Sequence, residues 1–158
     1  VAFNEGVKQA TNEFLVLGAL MCEFPNIMMS SSSQTAHDLI IHNDLYNNYR
    51  IQVKTVSATN NISLKGGGRS GSDALYGGPG TKKKIYSYTS KNCDLIIGLK
   101  NIKFGNFELY FIPGLILDKI NQNSISVNKI KFSLNDISII SKCLNKEFIN
   151  EYYKKLSK

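Results

Sequence analysis

Three polar side chains on two short apolar segments have the types and the spacing for metal-assisted phosphodiester chemistry. Asp38 precedes the apolar residues 39–41, and Gln52 and Lys54 alternate with apolar residues in the segment 49–55. Because strand side chains repeat every two residues, Gln52 and Lys54 are predicted to share one face. A carboxylate on one strand, with an amide and an amine on the next, suits a site of this kind.

Phosphodiester hydrolysis needs an activated water, charge neutralisation at the scissile phosphate and support for the leaving oxygen. Mg²⁺, with Mn²⁺ as a substitute, supplies much of this from a few oxygen ligands. Asp38 is the best candidate ligand, and the Gln52 amide and the Val53 carbonyl offer further oxygens. Glu13 would complete the acidic set from a predicted first helix. Lys54 has no acceptor atom, so we expect it to assist the attacking water or to stabilise the developing oxyanion.

A purely structural interpretation of the same residues stays open at this point. An Asp at the start of a strand is commonly a turn or cap residue. A Gln-x-Lys pattern on an edge strand is commonly a solvated face. The residue pattern alone therefore does not decide between a catalytic site and a surface.

Helical spacing predicts a first helix over residues 11–23. Phe14, Leu17, Leu20 and Met21 recur at helical intervals, with Thr11 as the expected N-cap and Pro25 ending the segment. Toward the C-terminus, Ser133 is expected to cap a helix that runs to about residue 144, and a further helix is predicted over 147–156.

Apolar runs bounded by turn residues predict strands at 26–29, 38–41, 49–57, 93–98 and 107–112, with a turn near Gly105. The expected fold class is therefore α/β or α+β, with a central mixed sheet flanked by helices and a helical C-terminal tail. We predict a single domain of residues 1–158, with its core at about 8–113. A basic, glycine-rich loop is expected at 58–85 and a C-terminal helical extension at 114–158.

Positive charge is the main compositional signal. The formal net charge is +7 and the pI is about 9.3, which favours a polyanionic partner such as DNA. Seven of the twelve glycines lie in residues 66–80, flanked by basic residues. We interpret this stretch as a DNA-contacting loop, with a linker that has no role in binding as the alternative. The expected DNA-binding residues are Lys65, Arg69, Lys82, Lys83 and Lys84.

The cysteines and the hydropathy limit the class of protein. Cys22, Cys93 and Cys143 are odd in number and far apart, so we expect three buried, reduced side chains. No apolar run reaches the length of a membrane helix, and the start of the sequence does not resemble a signal peptide. The expectation is a cytoplasmic protein with no membrane partner.

The segment around these candidates resembles the PD-(D/E)XK nuclease superfamily. The match consists of Glu13, Asp38 and residues 52–55, with residues 110–113 following the strand at 93–99. Residues 49–55 spell Y-R-I-Q-V-K-T, and a Gln before x-Lys is typical of a subgroup that includes small group I intron-encoded homing endonucleases. His37 stands where the motif has a proline.

The resemblance implies a restriction-endonuclease-like core, Mg²⁺-dependent cleavage of double-stranded DNA, and action as a homodimer or homotetramer. Carried over by position, Asp38 and Gln52 bind metal and Lys54 assists the nucleophile. Glu13 supports a second metal or orients water, and it is preferred over Glu23 as the helix carboxylate. Residues 114–158 match no pattern of the family.

Three alternatives remain for the function. The first is another nuclease of the same fold: a restriction enzyme, a repair enzyme or a Holliday-junction resolvase. The second is a non-catalytic DNA-binding module on a decayed nuclease scaffold. The third is an RNA-binding module that stacks bases on its tyrosines and its Gly-Arg loop.

Overall fold

A mixed five-stranded sheet forms the centre of the fold, in the strand order β1-β2-β3-β7-β8. The computed structural model describes residues 2–30, 37–42, 48–67, 85–103 and 105–158, with side chains from residue 7 onward. The strands are β1 Ile27–Met29, β2 Leu39–His42, β3 Asn48–Thr55, β4 Asn61–Ser63, β5 Lys65–Gly66, β6 Tyr86–Ser87, β7 Leu95–Lys103, β8 Asn106–Pro113 and β9 Ser124–Ser126. The helices are α1 Ala2–Met21, α2 Gly114–Leu117, α3 Ser138–Lys142 and α4 Lys146–Leu156, with a 3₁₀ helix at Val127–Ser133.

The centre of the sheet is the parallel pair β3–β7, and the other pairings in this sheet are antiparallel. Leu95, Ile96 and Ile97 on β7 are fully buried, as expected for a strand covered on both faces. The predicted strands at 26–29, 38–41, 49–57, 93–98 and 107–112 are confirmed with shifts of a few residues. Gly105 has φ +75° in the β7–β8 hairpin, which confirms the predicted turn.

Helix α1 packs on the sheet through Asn12, Val16 and Leu20, which are buried and four residues apart. The prediction that Thr11 begins this helix is wrong, because α1 begins at Ala2. Thr11 instead donates its hydroxyl to the Val7 carbonyl at 2.8 Å, a bond one turn back within the helix. The N–H of Phe24 donates to the Leu20 carbonyl at 2.8 Å, and the helix ends before Pro25 as predicted.

The C-terminal extension contains more than helices. Strand β9 pairs antiparallel with β4, a pairing between segments about sixty residues apart in the chain. The prediction that Ser133 caps a helix is wrong: it ends the 3₁₀ helix and is fully buried. Its hydroxyl donates to the Ile130 carbonyl at 2.8 Å and accepts from the Phe111 N–H at 3.2 Å. On α4, the Tyr152 hydroxyl donates to the Phe111 carbonyl at 2.6 Å, so this extension is bonded to β8.

The predicted loop at 58–85 is wrong in its first part. Residues 61–63 and 65–66 form β4 and β5, where Ile62 and Leu64 are buried in the core. Strand β5 pairs antiparallel with β6, so the chain leaves Gly67 and returns at Ile85 within one two-stranded ribbon. Residues 68–84 lie outside the described part of the chain.

Two of the three cysteines are buried, and the third corrects the prediction. Burial raises the pKa of the Cys93 and Cys143 thiols to about 12, which keeps both protonated. Cys22 is exposed because it follows the last residue of α1, beyond the face that packs on the sheet. No helix in the described residues is long and apolar enough to span a membrane.

Gly114 occupies a position with no room for a side chain. A Cβ there would lie 2.2 Å from the Cys93 carbonyl oxygen, a backbone atom that cannot rotate away. The Gly114 N–H also donates to the Asp94 carbonyl at 2.7 Å, and this bond holds the backbone of Gly114 close to that of residues 93 and 94. We expect Gly114→Ala to lower the free energy of unfolding by about 1–3 kcal/mol, as for other overpacked sites.

Gly18 is the matched control for this substitution. A Cβ on Gly18 would meet no atom within 4 Å, and the residue lies inside α1. Gly18→Ala is expected to raise the free energy of unfolding by up to about 1 kcal/mol, because Ala is the better helix former. Urea denaturation followed by circular dichroism measures both. A Gly114→Ala variant as stable as the wild type would contradict this packing.

Candidate active site

Asp38 is bonded to β3 by backbone and side chain together. Its N–H donates to the Ile51 carbonyl at 2.8 Å, continuing the antiparallel pairing of β2 and β3. Its Oδ2 accepts the Val53 N–H at 2.8 Å and Nε2 of Gln52 at 2.5 Å. The structure therefore brings Asp38 and Gln52 together, on adjacent strands.

The Val53 carbonyl links this pair to α1. It accepts Nε2 of Gln52 at 3.1 Å and Nε2 of Gln9 at 3.2 Å. Gln9 Nε2 also lies 3.4 Å from Oε1 of Glu13, one turn further along α1. A chain of two carboxylates, two amides and one carbonyl thus runs from Asp38 to Glu13.

Both carboxylates are held in an environment that disfavours their charge. Burial, followed by the nearby charge of Glu13, raises the pKa of Asp38 to about 7. Burial is also the main cause of the raised pKa of Glu13. Lys54 and the hydrogen bonds to each carboxylate act in the opposite direction without cancelling the effect. Ionisation of both carboxylates is therefore disfavoured by the residues that surround them.

Lys54 stands beside the two carboxylates and is fixed by two contacts. Its Nζ donates to the Lys65 carbonyl at 3.2 Å and lies 4.8 Å from the centre of the Tyr88 ring. Burial lowers the pKa of Lys54, and the charges of Asp38 and Glu13 oppose that shift. Tyr88 is itself buried and packs edge-to-face on Tyr86 with ring centres 5.4 Å apart.

The sequence interpretation missed two residues of α1 that contact β3. Asn12 donates to Oγ1 of Thr55 at 2.6 Å, and that hydroxyl lies 3.4 Å from Oε1 of Gln9. Gln9 precedes Glu13 by one helical turn, so helical spacing carried the signal for its position. Starting the helix at Thr11 hid that signal.

An ion pair next to the site fixes β3 against the turn that leads into β7. The Asp94 carboxylate accepts Nε of Arg50 at 3.0 Å and Nη2 at 2.9 Å, and it also accepts the Arg50 N–H at 2.9 Å. The guanidinium further donates to the carbonyls of Ser90 and Lys91. Asp94 is therefore held in an ion pair of the fold. Its partner was missed because residues 50 and 94 are distant in the sequence.

The remaining candidates fall in three groups. Lys65 lies on β5, with its carbonyl facing Lys54. Glu23 is exposed beyond the end of α1. The other four predicted DNA-binding residues lie outside the described residues: Arg69, Lys82, Lys83 and Lys84.

The oxygen atoms at this site suit a hard divalent cation in part. Carboxylates of Asp38 and Glu13 and the Val53 carbonyl are the ligand types that Mg²⁺ prefers. Gln52 presently turns its NH₂ group toward Asp38 and Val53, so binding through its oxygen requires the amide to rotate. Among the described residues no three His, Cys, Asp or Glu side chains are gathered into a metal-binding group. Two acidic side chains and neutral oxygens are what this site offers.

Comparison with known proteins places the fold. No protein-family model matches the chain, and no curated protein sequence is significantly similar to it. The solved structure of the bacterial homing endonuclease I-Ssp6803I is similar over 76% of this chain and 75% of that chain, with a TM-score of 0.52 and 11% sequence identity. At this identity the likeness concerns the fold. The predicted fold class, a central mixed sheet flanked by helices with a helical C-terminus, is confirmed.

Proposed function

We propose that this chain is a Mg²⁺-dependent endonuclease that hydrolyses double-stranded DNA at a specific sequence, in the manner of a homing endonuclease, and that it is a member of the PD-(D/E)XK superfamily. One observation carries the proposal. Asp38 and Glu13, both with a raised pKa, are linked through the Val53 carbonyl, and Lys54 stands beside them. The fold shared with I-Ssp6803I supports it independently.

Each residue of the site has the role in hydrolysis that its functional group allows. Asp38, Glu13 and the Val53 carbonyl would hold the cation, with Gln52 added if its amide rotates. When bound, Mg²⁺ or Mn²⁺ supplies charge neutralisation at the phosphate and a more acidic water. Lys54 donates hydrogen bonds to the negative oxygen that develops at phosphorus.

The anchoring of Lys54 matters for that role. A flexible lysine loses much of its benefit to side-chain entropy, whereas contacts with the Lys65 carbonyl and the Tyr88 ring restrict this one. Its donors are then placed before the substrate arrives, which is the condition for effective electrostatic stabilisation.

The β5–β6 ribbon connects the site to the basic segment. Lys65 and Tyr88, which hold Lys54, lie on and directly after the two ribbon strands. The segment that leaves and re-enters this ribbon carries Arg69, Lys82, Lys83 and Lys84. We propose that these residues and Lys65 contact DNA phosphates or the groove next to the scissile bond.

One chain provides one such site, so a cut through both strands requires two copies. We therefore propose a homodimer or homotetramer that acts on DNA in the cytoplasm of the host cell. A second candidate function is a non-catalytic DNA-binding module. The observation that favours it is the orientation of Gln52, whose NH₂ group already donates to both Asp38 and Val53.

Cleavage of AT-rich bacterial or phage genomic DNA with Mg²⁺ tests the proposal. Wild type is expected to give discrete bands. Asp38→Ala and Lys54→Ala should each reduce the rate by about a hundred-fold or more, the usual effect of losing one transition-state group. The controls are Glu23→Gln and Lys154→Ala, exposed residues outside the site that should cut at the wild-type rate. Full activity of Asp38→Ala would contradict the site, and DNA bound but uncut by wild type would favour the binding module.

Stability in the absence of divalent cations should depend on pH through Asp38. Its pKa in the folded chain is about 7, above the ordinary value of 3.8. Between these two values the folded state binds more protons than the unfolded state, so stability falls as the pH rises through this window. Asp38→Asn removes this ionisation, and we expect it to be more stable than wild type at pH 8 by about 2–4 kcal/mol.

Urea denaturation in EDTA at about pH 5 and about pH 8 measures this difference. The difference in stability between the variant and the wild type should narrow at the lower pH, where Asp38 is protonated in the folded chain but largely ionised in the unfolded chain. Glu23→Gln serves as the control, because it removes an exposed carboxylate at the end of α1. An Asp38→Asn variant that is less stable than wild type at pH 8 would show that ionisation of Asp38 does not destabilise the folded chain.

A further inference from the structure

The amide of Gln9 joins two of the candidate cation ligands. Its Nε2 lies 3.2 Å from the Val53 carbonyl oxygen and 3.4 Å from Oε1 of Glu13, so each hydrogen of its NH₂ group has an acceptor. Gln9 is half-buried and lies one turn before Glu13 on α1. It belongs to no motif of the sequence, and these contacts alone indicate its role.

The Glu13 carboxylate depends on that amide for its position. In the described part of the chain, Nε2 of Gln9 is the one hydrogen-bond donor to this carboxylate. Asp38, by contrast, accepts both the Val53 N–H and the Gln52 amide. A long, half-buried side chain that loses its only donor gains access to other rotamers. Removal of the Gln9 amide would therefore release Glu13 while leaving Asp38 held.

Repulsion between the two carboxylates makes the bond from Gln9 more important. The charge of Glu13 is, after burial, a cause of the raised pKa of Asp38, so the two groups interact. An ionised Glu13 lowers its energy by turning away from Asp38 toward solvent, whereas a cation needs both carboxylates ionised and close to each other. Burial raises the pKa of Glu13, and the bond from Gln9 acts against that shift. The amide thus favours the position and the charge that a ligand requires.

Thr55 and Asn12 fix the direction in which the Gln9 amide faces. Nδ2 of Asn12 donates to Oγ1 of Thr55 at 2.6 Å, and that hydroxyl donates to Oε1 of Gln9 at 3.4 Å. Asn12 is 7% exposed, so this chain of bonds begins in the packed face of α1. A reversed Gln9 amide would turn its oxygen toward the Val53 carbonyl and an ionised carboxylate, neither of which offers a proton. The NH₂ group therefore faces the candidate ligands.

We propose that Gln9 is a positioning residue of the site, whose amide holds the Glu13 carboxylate beside the Val53 carbonyl for the cation. The inference rests on the proposed function, because Glu13 is taken there as a ligand. In this orientation Gln9 offers the cation no oxygen of its own. Loss of its amide should nevertheless weaken cation binding, because the groups that orient a ligand affect metal affinity almost as strongly as the ligand does.

Mn²⁺ binding followed by water-proton relaxation, without DNA, tests this role. Gln9→Met keeps the length and the helix propensity of the side chain but removes the amide. We expect it to bind Mn²⁺ about ten-fold more weakly than wild type. Gln122→Met is the matched control, the same change at an exposed position outside the site, and it should bind as wild type does. Urea denaturation in EDTA checks that both variants fold.

A Glu13→Gln background separates positioning from a general disturbance of the fold. If Gln9 acts through Glu13, Gln9→Met should cause little further loss of Mn²⁺ binding once the Glu13 carboxylate is absent. A loss of the same size in both backgrounds would overturn the inference, because it would show that Gln9 does not act through Glu13.

Thr55 gives a second, conservative pair of variants. Thr55→Val removes the hydroxyl that holds Oε1 of Gln9, and it should weaken Mn²⁺ binding in the same direction as Gln9→Met. Thr55→Ser keeps the hydroxyl and should bind as wild type does. Equal weakening by both variants would contradict the role of the hydroxyl in orienting the amide.

The outcomes distinguish this inference from the proposed function. A Gln9→Met variant that binds Mn²⁺ as tightly as wild type, or more tightly, would overturn the inference. If Glu13→Gln alone still weakened binding, the metal site of the proposed function would stand. A wild type that binds no Mn²⁺ would overturn both.

Discussion

The half-buried carboxylate of Asp38, bonded to the backbone of β3, is the interaction on which the candidate site depends. Its Oδ2 accepts the Val53 N–H and the Gln52 amide, so one atom fixes the start of β2, the register of β3 and the orientation of Gln52. A buried carboxylate costs free energy unless it is compensated, and here the compensation is incomplete. The cation that we propose would supply the missing compensation.

The rest of the fold positions the groups around that carboxylate. Helix α1 brings Glu13 to the site and anchors itself through Gln9 and Asn12 on β3. The β5–β6 ribbon holds Lys54 through the Lys65 carbonyl and the ring of Tyr88. Because both α1 and the β5–β6 ribbon contact β3, a shift of that strand would disturb these groups together. The Arg50–Asp94 pair bonds β3 to the turn before β7 and so resists such a shift.

Sequence periodicity was sufficient for the sheet strands and for the local pattern that brings Asp38 to Gln52. These features depend on interactions between near neighbours: alternating burial, turn residues and one short connection between β2 and β3. The sequence interpretation failed where a hydroxyl side chain can either cap a helix or bond to a nearby backbone carbonyl. Thr11 resembles an N-cap but bonds one turn back inside α1. Ser133 resembles a cap but lies buried between Phe111 and Ile130.

Pairings between distant segments were the other source of error. The strands β5 and β6 are two residues each, and β9 is three, so none carries a periodic signal of its own. Each is defined by a partner far along the chain, as is the contact between Arg50 and Asp94. The resemblance to a nuclease motif supplied roles for Glu13 and Lys54 that periodicity could not supply. Their assignment remains a proposal about chemistry, supported by their position beside Asp38.

Mn²⁺ binding, followed by electron paramagnetic resonance at about pH 8, tests the central claim most directly, because Asp38 is then largely ionised. Wild type, Asp38→Asn, Glu13→Gln and the control Glu23→Gln would be titrated under the same conditions. We expect one or more bound ions in wild type and in Glu23→Gln, with at least about ten-fold weaker binding in the other two variants. Equal binding by all four proteins would show that the cation lies elsewhere and would contradict a metal site at Asp38 and Glu13.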